Sequence, residues 1–246
     1  MRAIVLAGGR GRRLAPFTTV FPKPLAPVGD VPIIDIVLRQ LRWHGIKEVV
    51  ISVGYLGELI QAYFMTRGGI PGLDITYVRE DAPLGTAGPL GLLDNRDEDI
   101  LVINGDVLSD FAYSDFIASH LEKRPALSIA VHHREVQIDL GVVDFGEDGV
   151  VTGFREKPRI EYHCSMGINL YSPRALHAIT PGEQLDFPDL ALRLVERGET
   201  VLAYGTDCYW MDIGRRDDYD RAIEEFPSVR SRLLPDEAEA EGSSSR

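Results

Sequence analysis

A glycine- and arginine-rich segment at residues 6–14, LAGGRGRRL, contains groups that bind anions. Its three glycines allow the backbone to approach a ligand closely and to adopt positive φ angles. Successive exposed N–H groups in such a loop form a concave anion site, to which Arg13 and its arginine neighbours add charge. The segment lacks the Gly-Lys-Ser/Thr of a P-loop, and Leu14 stands at the third glycine position of a dinucleotide-binding fingerprint. A surface turn with solvated arginines is the competing interpretation.

Two further segments carry charges that suit phosphate and magnesium chemistry. Lys23 lies between two prolines, which restrict the backbone and can hold its ammonium group toward the glycine loop. Asp106 follows the apolar run 100–103, and Asp212 lies in the segment WMDIG. Two carboxylates far apart in the chain can hold one Mg²⁺ against phosphate oxygens. Either aspartate alone would more often form a turn or cap a helix.

Two weaker clusters could contact a base and a sugar. In residues 80–90, EDAPLGTAGPL, the small residues permit close approach of a flat base, and Glu80 can accept hydrogen bonds from base N–H donors. In residues 154–158, FREKP, Glu156 can accept hydrogen bonds from sugar hydroxyl groups and Lys157 can pair with a phosphate. A capped loop and a solvated turn are the corresponding structural interpretations.

The composition limits the classes of function. The chain has 246 residues, of which 44% are hydrophobic and 26% charged, with a formal net charge of −12. Such an acidic protein is a poor candidate for binding nucleic acid or an anionic membrane over a broad surface. No apolar run reaches the roughly 18 residues that span a bilayer. The two cysteines make neither a disulfide framework nor a zinc site alone, which favours a reduced, cytoplasmic setting.

Apolar patterning predicts the elements that position these groups. Strands are predicted at residues 2–6, 48–53, 74–78 and 100–103, with helices beginning near residues 33 and 56. This alternation is typical of a mainly parallel sheet in three layers, where ligands collect at the carboxyl ends of strands. From residue 127, short strands predict mixed or antiparallel sheet, followed by helices at 187–197 and 216–226. Residues after about 234 are acidic and polar, which predicts a disordered tail.

The clusters stand in the order and spacing of the sugar-phosphate nucleotidyltransferase family, which the chain resembles over residues 1–226. GGRGRRL followed by FPKPLAPV is similar to the family signature G-x-G-x-R-L…P-K-P, and GD, EKP and W-x-D-x-G at 105–106, 156–158 and 210–214 are similar to later motifs. The resemblance implies a Rossmann-like three-layer α/β/α fold with a mainly parallel mixed sheet, Mg²⁺ as cofactor, and a nucleoside triphosphate and a sugar 1-phosphate as substrates. It implies a catalytic domain at 1–226 and a C-terminal extension at 227–246, without the hexapeptide repeats of a β-helix.

The resemblance also implies roles for individual positions. The nucleotide-binding set is Leu6, Ala7, Gly8, Gly9, Gly11, Arg13, Lys23, Glu80, Gly85 and Thr86. The catalytic set is Arg13, Lys23, Asp106 and Asp212, of which the two aspartates bind the metal. The set around the sugar phosphate is Gly141, Glu156, Lys157, Ser165 and Gly167. Ser165-Met166-Gly167 stands where many members have Asn-Ala-Gly, so the identity of the sugar stays open.

The segment LGTAG at 84–88 resembles the mannose-1-phosphate guanylyltransferase branch of the family. Glu80 suits guanine, whose N1–H and amino group are both donors, so we expect GTP and mannose 1-phosphate. Transfer of uridylyl or thymidylyl groups, or a heptose or cyclitol phosphate acceptor, is the alternative. A non-catalytic subunit that binds nucleotide-sugar is disfavoured because Lys23, Asp106 and Asp212 are all present. Association into homo-oligomers stays open.

Overall fold

The structure is a computed structural model that describes residues 1–237. The strands are β1 (Arg2–Ala7), β2 (Pro27–Val28), β3 (Val31–Pro32), β4 (Glu48–Val53), β5 (Asp74–Arg79), β6 (Ile100–Asn104), β7 (Val107–Ser109), β8 (Leu127–Gln137), β9 (Val142–Phe145), β10 (Val151–Arg155), β11 (Arg159–Tyr171), β12 (Val201–Thr206) and β13 (Trp210–Asp212). The helices are α1 (Ile33–Trp43), α2 (Gly57–Arg67), α3 (Tyr113–Lys123), α4 (Pro173–His177), α5 (Phe187–Glu196) and α6 (Arg216–Leu233).

Seven strands form one twisted sheet in the order β12-β8-β11-β6-β1-β4-β5. Strands β5, β4, β1 and β6 pair in parallel, whereas β11 runs antiparallel to both β6 and β8. Strand β12 pairs in parallel with β8. The predicted mainly parallel mixed sheet is confirmed.

Helices cover both faces of this sheet because the central strands are apolar on both sides. In β1, Ala3 and Val5 belong to a core on the face covered by α1, α2, α3 and α6. Ile4 points to the opposite core, which is closed by α4 and α5. Alternating side chains of one strand therefore bury into two separate cores, as a three-layer α/β/α fold requires.

The register of the central strands brings distant segments together at one edge. Leu6 near the end of β1 pairs with Asn104 at the end of β6, so the glycine loop and Asp106 emerge side by side. The short ladder of β13 with β7 places Asp212 opposite Val107. Three of the predicted chemical segments thus meet beyond the carboxyl ends of the parallel strands.

The C-terminal part of the described chain packs onto the domain. Helix α6 runs through the predicted boundary at residue 226, so this boundary does not coincide with the end of an element. Asp236 and Glu237 pair with Arg39 at 2.7 and 2.9 Å, which ties the start of the acidic segment to α1. The remainder of the tail predicted to be disordered lies outside the described residues. No helix within residues 1–237 is long and apolar enough to cross a membrane.

Candidate active site

A cavity of about 400 Å³ opens at the carboxyl ends of β1 and β6. All ten residues predicted to bind the nucleotide line it, and so does Asp106. Its complete lining is Leu6, Ala7, Gly8, Gly9, Gly11, Arg12, Arg13, Lys23, Pro24, Glu80, Pro83, Gly85, Thr86, Asn104, Asp106 and Gly214. The glycine loop, Lys23, residues 80–86 and Asp106, which are separate in the chain, therefore line one cavity, whereas Asp212 lies beside it next to Gly214.

The glycine loop needs glycine at two of its positions for different reasons. Gly11 has φ of 59°, in the left-handed region that side chains disfavour. Gly8 lies against Glu80, and a Cβ there would lie 2.3 Å from Glu80 Oε1. A Cβ at Gly9 would meet no other atom within 4 Å, so the loop is open to the cavity at that point.

Lys23 is buried and forms an ion pair with Asp106. The short 3₁₀ turn Lys23–Leu25 begins after an extended Pro22, and this geometry directs the lysine side chain inward. The lysine side chain is only 8% exposed, whereas that of Asp106 is 26% exposed. The pair therefore has a protected cation on one side and a carboxylate that still reaches the cavity on the other.

Asp212 is the second carboxylate at this edge. Its backbone is joined to that of Asp106 because Ile213 N donates a hydrogen bond of 3.1 Å to Asp106 O. Partial removal from solvent raises the pKa of Asp212, the negative charge of Asp106 raises it further, and Lys23 and Arg13 oppose the shift. Two carboxylates that repel each other in this way are a suitable pair to share a cation.

Arg13 approaches the same two-carboxylate edge from the glycine loop. A Cβ added at Gly214 would lie 3.4 Å from both Arg13 Nη1 and Asp212 Oδ2, so the two side chains flank this glycine. The guanidinium is exposed, and it is accessible to an anion in the cavity. Cations of Arg13 and Lys23 thus stand on either side of the aspartate pair.

The aspartate pair fits the chemistry of Mg²⁺. Magnesium is usually held by one or two carboxylates together with phosphate oxygens and water, so a closed protein cage is not needed. Across residues 1–237 no group of three or more His, Cys, Asp or Glu side chains could hold a metal ion. Phosphate oxygens and water would complete the coordination of an ion held by Asp106 and Asp212.

The candidate base site lies at the other end of the cavity. Ser52 Oγ donates to Glu80 Oε1 at 2.7 Å, and Leu84 N donates to Oε2 at 3.3 Å. These two contacts orient the carboxylate and leave acceptor capacity on each oxygen. Thr86 is held by Asp186 because its N–H donates to Asp186 Oδ1 at 3.1 Å. A 3₁₀ turn at Gly88–Leu92 follows.

The residues predicted around the sugar phosphate fall into two groups. Gly141, Glu156 and Lys157 flank the hairpin of β9 and β10, outside the cavity lining. Gly141 and Glu156 adjoin each other, since a Cβ at Gly141 would lie 3.2 Å from Glu156 Oε2. Lys157 is exposed and has φ of 45°. This group is together in space but stands apart from the glycine loop.

The second group lies where the pairing of β11 with β8 is irregular, between Ser165 and Asn169. Gly167 has φ of 72°, and a Cβ there would lie 2.5 Å from Asn104 Nδ2. Gly167 N donates to Ser165 Oγ at 3.4 Å. A β-bulge of this kind redirects side chains beside a site, and here it abuts the cavity wall through Asn104.

Five residues of the cavity wall are absent from the predicted nucleotide-binding, catalytic and metal-binding sets, namely Arg12, Pro24, Pro83, Asn104 and Gly214. Asn104 had a usable signal, because it directly precedes Gly105-Asp106 at the end of an apolar strand. Gly214 belongs to the same motif as Asp212 and makes room for Arg13. The additional residues of the cavity wall thus lie within or next to the predicted motifs.

Comparisons of the sequence with known proteins all identify nucleotidyltransferases. Residues 2–228 match the family model described as nucleotidyl transferase. The chain is 32% identical over 243 residues to a UTP–glucose-1-phosphate uridylyltransferase from Synechocystis, covering 91% of this chain and 62% of that protein. It is 33% identical over 230 residues to the mannose-1-phosphate guanylyltransferase catalytic subunit beta of Danio rerio, covering 89% and 62%.

A solved structure has a fold similar to that of this chain. The crystal structure of HddC from Yersinia pseudotuberculosis superposes with a TM-score of 0.69 at 25% identity, covering 92% of this chain and 99% of that one. The chain spans only about 62% of the length of the two curated relatives. The resemblance read from the motifs is confirmed at the level of the family.

Proposed function

Because the chain belongs to the nucleotidyl transferase family, we propose that it transfers a nucleotide from a nucleoside triphosphate to a sugar 1-phosphate. The products are a nucleotide-sugar and pyrophosphate. The observation that carries this proposal is the meeting of Arg13, the Lys23–Asp106 pair and Asp212 at the glycine loop. This arrangement offers cations and a carboxylate pair where a triphosphate would lie along exposed backbone N–H groups.

The reaction requires that the two substrates be positioned in line and that their negative charges be neutralised. The acceptor phosphate is already an anionic nucleophile, so it attacks the α-phosphorus without a general base. The bond to the pyrophosphate group breaks as the new phosphoanhydride bond forms. In our proposal Arg13 and Lys23 stabilise the negative charge on the transferred group and on departing pyrophosphate.

We assign Mg²⁺ to Asp106 and Asp212. When bound, the ion would polarise the phosphate oxygens and reduce the repulsion between the two anionic substrates. The raised pKa of Asp212, caused by burial and by the charge of Asp106, supports a cation between these carboxylates. Lys23 keeps Asp106 oriented by their ion pair.

We assign the acceptor to the side of the cavity bounded by the β11 bulge. Ser165 and Gly167 would contact sugar hydroxyl groups there, next to Asn104. Glu156 and Lys157, with Gly141 beside them, would contact the sugar and its phosphate from the β9–β10 hairpin. Mannose 1-phosphate is the proposed acceptor, on the basis of the guanylyltransferase relatives.

We propose GTP as the donor, with Glu80 accepting hydrogen bonds from guanine. The oriented carboxylate of Glu80 in the cavity wall supports this choice. UTP with glucose 1-phosphate is the second candidate, because a relative named as a uridylyltransferase is as similar in sequence as the guanylyltransferases. The two free cysteines support a cytoplasmic setting for the reaction.

Pyrophosphate release distinguishes these candidates. The purified protein is incubated with Mg²⁺, each of ATP, GTP, UTP and dTTP, and either mannose 1-phosphate or glucose 1-phosphate. We expect the fastest release with GTP and mannose 1-phosphate. A clear preference for UTP or dTTP contradicts the guanine assignment, and release from no pairing contradicts transfer itself. The Asp106→Asn protein is the matched inactive control.

A further inference from the structure

Arg134 on β8 stacks against a tryptophan near the candidate active site. Its Cζ lies 5.2 Å from the centroid of the Trp210 ring, within cation–π distance. His132, which lies two residues before Arg134 on the same face of β8, also stacks on the ring, with its imidazole 5.6 Å away at an interplanar angle of 27°. Trp210 Nε1 also donates to Met166 O at 3.0 Å. The surface on which the guanidinium rests is therefore fixed.

Arg134 is half-buried and has no carboxylate partner among residues 1–237. Glu135 and Glu161 belong to the opposite face of the β8–β11 ribbon. There Glu135 pairs with Arg159 at 3.3 Å, and Glu161 lies 3.7 Å from His133. In a chain of net charge −12, a partly desolvated guanidinium left without a carboxylate is available to an anionic ligand.

Trp210 places this cation beside the acceptor side of the cavity. Asp212 lies two residues further along β13, and alternate residues of a strand point to the same side. The indole N–H of Trp210 donates a hydrogen bond to the backbone oxygen of Met166, which directly precedes Gly167 of the bulge. Gly167 in turn abuts Asn104 in the cavity wall. The Trp210 ring thus lies between a candidate metal ligand and the bulge assigned to the sugar.

We propose that Arg134 binds the phosphate of the acceptor sugar 1-phosphate. This inference rests on the proposed function and adds a residue to its acceptor site. A planar guanidinium can donate two parallel hydrogen bonds to phosphate oxygens while its face stays on an aromatic ring. Lysine provides neither the fork nor the stacking plane, so arginine is suited to orient the phosphate as well as to attract it.

The assignment predicts a selective effect on the acceptor. Arg134 is on the β8 side of the sheet, separated from the glycine loop on β1 by β11 and β6. Removing its guanidinium should therefore weaken binding of the sugar 1-phosphate and leave triphosphate binding nearly unchanged. The loss of acceptor affinity should depend on the phosphate group of the sugar, because the stacked guanidinium binds anionic oxygens.

The test compares Arg134→Gln, Arg134→Lys and the control Arg159→Gln with the wild-type protein. Arg159 lies on the same ribbon but is well exposed, with 67% of its side chain accessible, and its partner is Glu135. KM is measured separately for the triphosphate and for whichever of mannose 1-phosphate and glucose 1-phosphate the wild type uses. Binding of that sugar phosphate is measured in parallel by calorimetry, and urea unfolding confirms that each variant folds.

For Arg134→Gln we expect the acceptor KM to rise about 10- to 100-fold, as for loss of a charge-assisted hydrogen bond, with little change for the triphosphate. Arg134→Lys should fall between this variant and wild type, and Arg159→Gln should match wild type. An unchanged acceptor KM in folded Arg134→Gln, or equal rises for both substrates, overturns the assignment. A wild-type protein that transfers to no sugar 1-phosphate instead refutes the proposed function, and this is visible before any variant is made.

Discussion

The ion pair between Lys23 and Asp106 should couple the stability of the domain to its activity. Lys23→Met keeps the length of an apolar stem and removes the ammonium group. Asp106→Asn keeps the shape of the carboxylate and removes its charge. The two single variants and the double variant form a cycle that isolates the interaction between these side chains.

The exposure of each partner sets the expected magnitude. Removing one partner of a fully buried pair costs about 3–5 kcal/mol, and an exposed pair contributes about 0–1 kcal/mol. The side chain of Lys23 is 8% exposed and that of Asp106 is 26% exposed, so the pair lies between these limits. We expect Lys23→Met to lower the free energy of unfolding by about 2 kcal/mol, with a coupling of about 1–2 kcal/mol in the cycle.

Urea unfolding of the four proteins measures this coupling. The exposed pair of Arg79 and Glu58, with side chains 63% and 62% accessible, is the matched control and should give about 0–1 kcal/mol. Turnover measured on the same samples should fall by about 10²–10³-fold or more in each single variant. A coupling no larger than that of the control pair, or a Lys23→Met protein with near-normal turnover, would refute the reasoning.

Three other expectations follow from glycine geometry and from a buried histidine. Gly11→Ala, at φ of 59° and with its Cβ 2.9 Å from a neighbouring side chain, should cost about 1–2 kcal/mol and raise the triphosphate KM. Gly205→Ala, on β12 and with open space around its Cβ, is the control. Gly167→Ala, at φ of 72°, should lower stability, displace Asn104 and raise the acceptor KM, and unaltered kinetics in the folded variant would contradict the close approach to Asn104. Burial lowers the pKa of His120 below its usual 6.5, so the unfolded chain binds a proton that the folded chain does not, and the urea midpoint should drop as pH falls below about 6.5. His120→Gln should flatten this drop, and an unchanged slope would show that other groups cause it.

Strands β1, β4 and β6 were predictable because each contains a short apolar run bounded by turn residues. Helix α3 was not predicted, since only Tyr113, Phe116 and His120 are buried along it, and a polar histidine hides the helical period. The lengths of β8 and β11, which pair as a long ribbon, were also underestimated. Its outer half is exposed on both strands, so it lacks the apolar alternation from which strands are read.

Motif order predicted residues that the structure brings together at one cavity, but it did not reveal which charges touch. Lys23 and Asp106 are 83 positions apart, and their pairing depends on the parallel register of β1 with β6. The residues that we assign to the acceptor were harder to predict. Arg134 has no motif around it, and its position became meaningful only when β13 placed Trp210 beneath its guanidinium.

The central claim is transfer of an intact nucleotide to a sugar 1-phosphate at the cavity beyond β1. Mass spectrometry of the reaction products, with pyrophosphate measured in the same sample, tests it most directly. The account predicts nucleotide-sugar and pyrophosphate in equal amounts from the wild-type protein with Mg²⁺ and the preferred substrate pair, and neither product from Asp106→Asn. Formation of free nucleoside monophosphate without nucleotide-sugar, or undiminished product from Asp106→Asn, would contradict it.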